Sequence, residues 1–379
     1  MNLKSKHSDL KKKDYTEGDD LLIMESISKN YGKIQALDDL SFNARSGEIL
    51  VILGPSGAGK TTTLKTINGL EPITSGKIIF NGRIINNLEP KERNMAMVFE
   101  TYALYPHLSV FENIASSLFA LRMDKNLIRE RVEKISKTLG IFPFLKRKPA
   151  NLSGGQRQRV ALGRALAKPA DLYLMDEPIA HLDAKLRHQM IGEFKHLQEE
   201  LKISIIYVTH DWQEAMSLGN NILVLNNGKL EQYGTAEEIF NSPGNTFVAQ
   251  LVGDPSMNLI PVELSRDSKG TFIKLGDTEI RLEESINPMK AVLGIRPSRL
   301  KLVPRNSMGS IKTVIYSIEK SGMDTIVSLE FSSGIYKTRF KGKKAFTINK
   351  EEWVQLDLSE ACIFDQENKL IQVLGRRNG

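Results

Sequence analysis

The sequence predicts an α/β domain with a mainly parallel sheet, followed by a smaller all-β domain. Three observations carry this expectation. From Leu21 to about Gly234, short apolar runs of buried-strand type alternate with helical patterns. One of these runs, EILVIL (48–53), leads through a glycine-rich turn straight into a helical stretch. After SPGN (242–245) the texture changes to strand after strand, with turns between them and hardly a long helix.

In chain order, residues 1–20 hold five lysines and five acids with almost no apolar side chains, a tail expected to be disordered. EILVIL is followed by TTTLKTINGL, a helix expected to end near Gly69. SGKIIFNGRII and NILVLNNGKLEQYG have the pattern of hairpins, the second turning on Asn227-Gly228. An antiparallel part is therefore expected beside the parallel core. NMAMVF (94–99), DLYLMD (171–176) and SIIYVT (204–209) are further buried strands, with LDAKLRHQMIGEFKHLQEELK (182–202) as a helix. The domain boundary is placed near 243, giving domains of 21–242 and 243–379. Beyond it, TFIKL, TEIRL, KAVLGIR, SIKTVIYSI and DTIVSLEF have the spacing of a small β-barrel or sandwich.

Composition narrows the function classes. At 379 residues, 41% hydrophobic and 26% charged, the chain has the make-up of a soluble globular protein. It contains no apolar run long enough to cross a bilayer and does not open like a secretory signal. The one cysteine, Cys362, excludes internal disulfides, fits a reducing compartment and reads as a small hydrophobe in a strand. A net charge of +7 permits an anionic partner, but 52 basic and 45 acidic residues are interleaved. With no aromatic–basic stacking motif, nucleic acid is not expected.

GPSGAGKT places Gly54, Pro55, Ser56, Gly57, Ala58, Gly59, Lys60 and Thr61, with Thr62 beyond, between a strand and a helix. Glycines let the backbone wrap phosphate oxygens, and successive N–H groups at a helix start form an anion cradle. Lys60 can then reach the β- and γ-phosphates and the Thr61 hydroxyl can ligate Mg²⁺. LYLMDEP (172–178) ends an apolar strand in two carboxylates. Asp176 is suited to hold Mg²⁺, and Glu177 to orient and deprotonate an attacking water. Between them, in NLSGGQRQRV, Asn151 or Ser153 can cap a helix beginning around Gly155, where glycines permit close approach to another anion.

MAMVFETY raises a separate question, because its apolar run ends in Glu100, a solvated residue, metal ligand or base on local grounds alone. GPSGAGKT, LSGGQRQRV, LYLMDEP and His210 in YVTHDWQEA together resemble the nucleotide-binding subunit of an ATP-binding-cassette (ABC) transporter. VAQLVGDPSMNLIPV (248–262) and GIRP (294–297) resemble the C-terminal regulatory domain of sugar-importer ATPases, the maltose, multiple-sugar and glycerol-phosphate systems. The resemblance implies a P-loop NTPase fold with a helical subdomain, then an oligosaccharide-binding-like (OB-like) barrel.

The resemblance also implies roles. Tyr31 stacks on adenine, and His210, after the strand SIIYVT, contacts the γ-phosphate. Two subunits, identical or not, pair head to tail, with Ser153, Gly154, Gly155 and Gln156 acting in trans and Asp183 reaching the facing subunit. TYALYPHLS (101–109) receives a helix of the integral-membrane permease subunits. Glu100 stands where the family carries glutamine as an Mg²⁺ ligand, and Ala180 where serine is usual, so the rate or its Mg²⁺ dependence is expected to be altered. The implied activity is Mg-ATP hydrolysis at the cytoplasmic face of the membrane, driving uptake of a sugar, oligosaccharide or glycerol-phosphate. A solute-binding protein takes part indirectly and a regulatory protein can bind the C-terminal domain. Polyamine, iron or oxyanion import is the alternative. Non-transport members with long coiled coils do not fit, since too few residues separate Lys60 from Ser153.

Overall fold

The computed structural model describes residues 20–375, except 100–102, 181, 269, 276–277, 288, 306, 308, 333 and 343–344. Glu100, Tyr102 and residues 1–19 of the charged tail therefore lie outside the described residues, while Asp20, also assigned to the tail, begins the first strand. Contacts group the chain into two units, one ending at Leu230 and the other beginning at Glu231.

In the first unit, β1 (Asp20–Tyr31) and β2 (Ile34–Arg45) pair antiparallel as a long hairpin. β3 (Ile49–Leu53) has every residue buried and runs through the glycine-rich loop into α1 (Lys60–Asn68). That helix stops where Gly69 takes the left-handed conformation, at φ 82. β4 (Ser75–Phe80) and β5 (Arg83–Ile84) form the first expected hairpin, turning on Asn81 and Gly82. They complete a four-stranded sheet of order β2-β1-β4-β5, the expected antiparallel part.

β6 (Met95–Val98) precedes three helices that pack on one another: α2 (Val110–Ala120), α3 (Lys125–Thr138) and α4 (Gly154–Ala167). Then follow β7 (Leu172–Asp176), α5 (Ala184–Leu201), β8 (Ile205–Thr209) and α6 (Trp212–Leu218). β9 (Asn221–Asn226) and β10 (Lys229–Gly234) meet at Asn227 and Gly228, both at positive φ as an Asn-Gly hairpin turn requires. The second sheet has the order β10-β9-β3-β8-β7-β6. Within it β3 lies parallel to β8 and β9, and β7 parallel to β6 and β8. Strands buried on both faces read as unbroken apolar runs, which is why they were legible without alternation.

The division between units falls inside β10. The second unit opens with two short helices, α7 (Ala236–Asn241) and α8 (Thr246–Leu251). Its strands are β11 (Asn258–Asp267), β12 (Gly270–Leu275), β13 (Thr278–Arg281), β14 (Met289–Ile295), β15 (Leu300–Val303) and β16 (Ser310–Ser321). β17 (Asp324–Phe331), β18 (Gly334–Lys341), β19 (Glu351–Leu356), β20 (Cys362–Phe364) and β21 (Leu370–Val373) complete it. The unit is β-rich as expected, and consists of two antiparallel sheets, β13-β12-β11-β14-β20-β21 and β15-β19-β16-β17-β18. Both line one core that includes Ile260, Leu293, Ile315, Leu329, Val354 and Ile363. Cys362 is fully buried beside Met257 and Phe364, a packing residue rather than a reactive thiol. Arg296, from GIRP, donates to Ala249 O and Val252 O and lies 4.0 Å over the Phe240 ring, anchoring both short helices. Burial pushes its guanidinium down to about 10.

Candidate active site

The phosphate loop is shaped by close backbone approach on three sides. A Cβ on Gly54 would stand 2.2 Å from Leu225 O, so only glycine lets the loop lie on β9. Gly59 has φ 104, and a Cβ there would come within 2.7 Å of Ala36 O on β2. Ala58 O accepts from Gly228 N at 2.9 Å, so the Asn-Gly turn braces the loop from the third side. α1 starts at Lys60 with no side-chain cap and no acid in its first turn. Its leading N–H groups and the positive end of its dipole therefore serve an anion.

Five predicted residues converge there. Lys60 Nζ donates to Gly54 O (2.9 Å) and Pro55 O (3.0 Å), and lies 3.8 Å from Glu177 Oε1. The Thr61 hydroxyl donates to Asp176 Oδ1 at 3.1 Å, across a sequence separation of 115. Asp176 ends β7, fully within the buried strand, and Glu177 follows it at φ 46. A non-glycine residue held there stores roughly 1–3 kcal/mol of strain. The conformation is fixed by Glu177 N donating to Val208 O (3.0 Å) and by Glu177 O accepting from Ala180 N (3.4 Å). His210 Nδ1 lies 2.8 Å from Glu177 Oε2, so the two carboxylate oxygens face a lysine and a histidine. Such a carboxylate is oriented for proton transfer next to an anion cradle.

The remaining predicted residues stand on other elements. Tyr31 ends β1, 40% exposed, with Lys29 Nζ 4.5 Å from its ring centre. Of the two candidate caps, Ser153 is the one used: its hydroxyl accepts from Gln156 N, and Gln156 Oε1 accepts from Ser153 N. α4 accordingly begins at Gly154. Among the described residues a Cβ on Gly154 would meet nothing within 4 Å, while one on Gly155 would come within 3.1 Å of Leu182. Asp183 caps α5 by accepting from Leu186 N at 2.9 Å. In the aromatic loop Tyr105 is exposed, and its backbone N and O are both held by the buried Asn113 side chain.

Other site-shaping residues escaped the sequence reading. Gln158 is buried on α4 and its amide reaches Glu177 O at 3.5 Å. Glu214 is buried and accepts from the Tyr207 and Thr209 hydroxyls at 2.9 and 2.8 Å, with Arg187 beside it. Burial pushes the Glu214 carboxyl above its ordinary value, against those two hydrogen bonds. Burial and the nearby Glu214 charge drive the Tyr207 hydroxyl up in turn. Asp211-x-x-Glu214 has the spacing of a capping box, a local signal that could have drawn attention to Glu214. Its partners were not legible, because they come from β8 and α5.

Residues 37–180 match the family model described as ABC transporter. Over 312 residues the chain is 44% identical to an sn-glycerol-3-phosphate import ATP-binding protein of Rhizobium johnstonii, covering 81% of this chain and 84% of that one. It is 38% identical to a trehalose/maltose import ATP-binding protein of Thermococcus litoralis, over 90% of this chain and 96% of that one. Among solved structures, a dimeric bacterial ABC transporter cassette matches with TM-score 0.54 and 33% identity, covering 57% of this chain and 98% of its own. With the phosphate loop, the paired carboxylates and the histidine in one place, the chain belongs to the ATP-binding proteins of ABC transporters and is an ATPase.

Proposed function

We propose that this chain is the ATP-hydrolysing subunit of an importer for a sugar, oligosaccharide or glycerol-phosphate. The observation that carries the catalytic reading is the Lys60–Glu177–His210 constellation at the end of the phosphate loop. Lys60 moves from the loop carbonyls to the β- and γ-phosphates when ATP fills the cradle. Glu177, steered by His210, takes a proton from the water that attacks the γ-phosphorus, and ADP leaves from the other side. His210 then donates a hydrogen bond to the γ-phosphate, and Tyr31 stacks on the adenine.

The Thr61 hydroxyl and Asp176 carboxylate are hard oxygen donors already brought together, a pair that suits Mg²⁺ alongside phosphate oxygens. Mg²⁺ held by Thr61 and Asp176 would neutralise charge on the phosphates, and Glu100 is the further ligand proposed from the sequence.

The open space at Gly154 supports close approach by a partner: neither its backbone nor its neighbours among the described residues demand glycine. We place Ser153, Gly154, Gly155, Gln156 and Asp183 in trans at a head-to-tail dimer. The exposed Tyr105 loop is the proposed seat of integral-membrane permease subunits, at the cytoplasmic face of the membrane. Among the described residues no helix is long and apolar enough to cross a membrane. The import ATP-binding proteins named above support a sugar or glycerol-phosphate as solute. The C-terminal domain, from about 243, is a candidate seat for a regulatory protein.

The test is Mg-ATP hydrolysis against protein concentration for wild type, Glu177→Gln, His210→Ala and Glu100→Gln. We expect Glu177→Gln to fall by roughly 100-fold or more. The wild-type rate is expected to rise faster than linearly with concentration. A Glu177→Gln variant as fast as wild type would overturn the catalytic assignment, and a strictly linear dependence down to the lowest measurable concentration would overturn the dimer. An Mg²⁺ dependence unchanged by Glu100→Gln would remove Glu100 from the metal site.

A further inference from the structure

We infer that Arg187 is a positioning residue for ATP hydrolysis, tying the loop after β7 to the loop after β8 and so setting His210 against Glu177. The inference rests on the reading that Glu177 and His210 act together on ATP. Arg187 lies in the first turn of α5, one turn beyond the cap Asp183. On one side its Nη2 reaches Ala180 O (3.4 Å) and Leu182 O (3.2 Å), in the segment that leaves Glu177. On the other, Nη1 lies 3.4 Å from Asp211 Oδ2 and Nε 3.6 Å from Glu214 Oε1. One planar fork thus serves acceptors from both loops, and a lysine, as a point charge, cannot span them equally.

What surrounds His210 is built on those acceptors. Asp211 caps α6 with its other oxygen, accepting from Gln213 N (2.7 Å), while its own N–H donates to the Thr209 hydroxyl (3.0 Å). Thr209 in turn donates to Glu214, the carboxylate that Arg187 faces. His210 sits between Thr209 and Asp211, so its backbone follows whatever fixes these two neighbours. The Glu177 carbonyl accepts from Ala180 N, and Ala180 O is one of the carbonyls Arg187 holds. A shift of Arg187 therefore changes how His210 is placed against Glu177. A merely structural role, in which Arg187 only neutralises buried Glu214, predicts lost stability without an effect on turnover.

The experiment compares Arg187→Gln, Arg187→Lys, His210→Ala, Glu177→Gln and the double variant Arg187→Gln with His210→Ala. It measures kcat per titrated ATP-binding site, KM for ATP and Tm. A groove of about 420 Å³ beside Arg187, lined also by Ile191 and Trp212, leaves room for either replacement. We expect Arg187→Gln to lower kcat roughly ten- to a hundredfold, with KM for ATP within about twofold of wild type. Arg187→Lys keeps the charge beside Glu214 and should hold the Tm while recovering only part of kcat. If Arg187 acts through His210, the double variant is no slower than His210→Ala alone.

A lowered Tm with wild-type kcat per site would overturn the inference, as would effects of the two variants that multiply. Should Arg187→Gln fail to fold, the Lys variant decides: wild-type turnover in it overturns the inference. If Glu177→Gln and His210→Ala both turn over normally, the catalytic reading itself has failed. If those two are impaired and Arg187→Gln is not, only the inference falls.

Discussion

Two glycines show how differently the same residue is required at the site. Gly59 combines a left-handed φ of 104 with a neighbouring carbonyl where a Cβ would go. Gly59→Ala should therefore cost on the order of 1–3 kcal/mol. For a domain of this size that lowers Tm by roughly 2–4 °C per kcal/mol, with loss of ATP binding. Thermal unfolding with and without ATP reads both, and a variant with wild-type values would mean the loop relaxes at no cost. Gly154 makes the opposite prediction. A methyl there meets nothing within 4 Å among the described residues, and alanine favours the first turn of α4 by roughly 0.5–1 kcal/mol. Gly154→Ala should keep or raise the Tm yet slow hydrolysis, because in the proposed head-to-tail dimer the methyl would stand where the partner's bound nucleotide approaches. Unimpaired hydrolysis would argue against that approach.

At the scale of elements, several helix starts were written locally. Ser109 with Glu112, Ser153 with Gln156 and Thr235 with Glu238 all form reciprocal capping boxes. In the second unit, Asp357 ties β15 to the end of β19. It accepts from Arg299 (3.1 Å), Lys301 (2.8 Å) and Ser359 N (3.2 Å). Burial works against the charged form, yet those hydrogen bonds outweigh it and hold the carboxyl well below its ordinary value of 3.8. A depressed folded value gives stability that is fully present above the unfolded value and is lost as pH falls toward the folded one. The Tm gap between wild type and Asp357→Asn should accordingly be constant near neutrality and shrink below about pH 4. A gap independent of pH would assign the effect to packing.

For the whole molecule, the open question of organisation is the boundary. Contacts divide the chain after Leu230, inside β10, whereas the change in sequence texture lies near 243. We favour the later point for a cut, because it keeps β10 whole beside β9 in the nucleotide-binding sheet. A chain ending at 242 is expected to fold and bind ATP, measured by nucleotide titration. An insoluble or non-binding product would move the boundary. Sequence texture locates such a change to a few residues at best, since loss of helical periodicity needs several residues to register.

By itself, the sequence determined the parts whose physics is local. The phosphate loop is contiguous, and its glycines and helix start specify an anion cradle wherever the strand lies. Buried strands, hairpin turns and a cap for α4 at Asn151 or Ser153 were legible for the same reason, as was the placing of Asp176, Glu177 and His210 at strand ends. Which strand ends meet is a matter of the fold. The order β3-β8-β7 brings Thr61 to Asp176 and His210 to Glu177, and hydrophobic periodicity fixes which faces are buried but not which strands are neighbours. The return of α6 against β8 set Glu214 under two hydroxyls, and the packing of α5 against α6 brought Arg187 between two loops. A charged residue on an amphipathic helix carries no local mark of the partner that burial will give it.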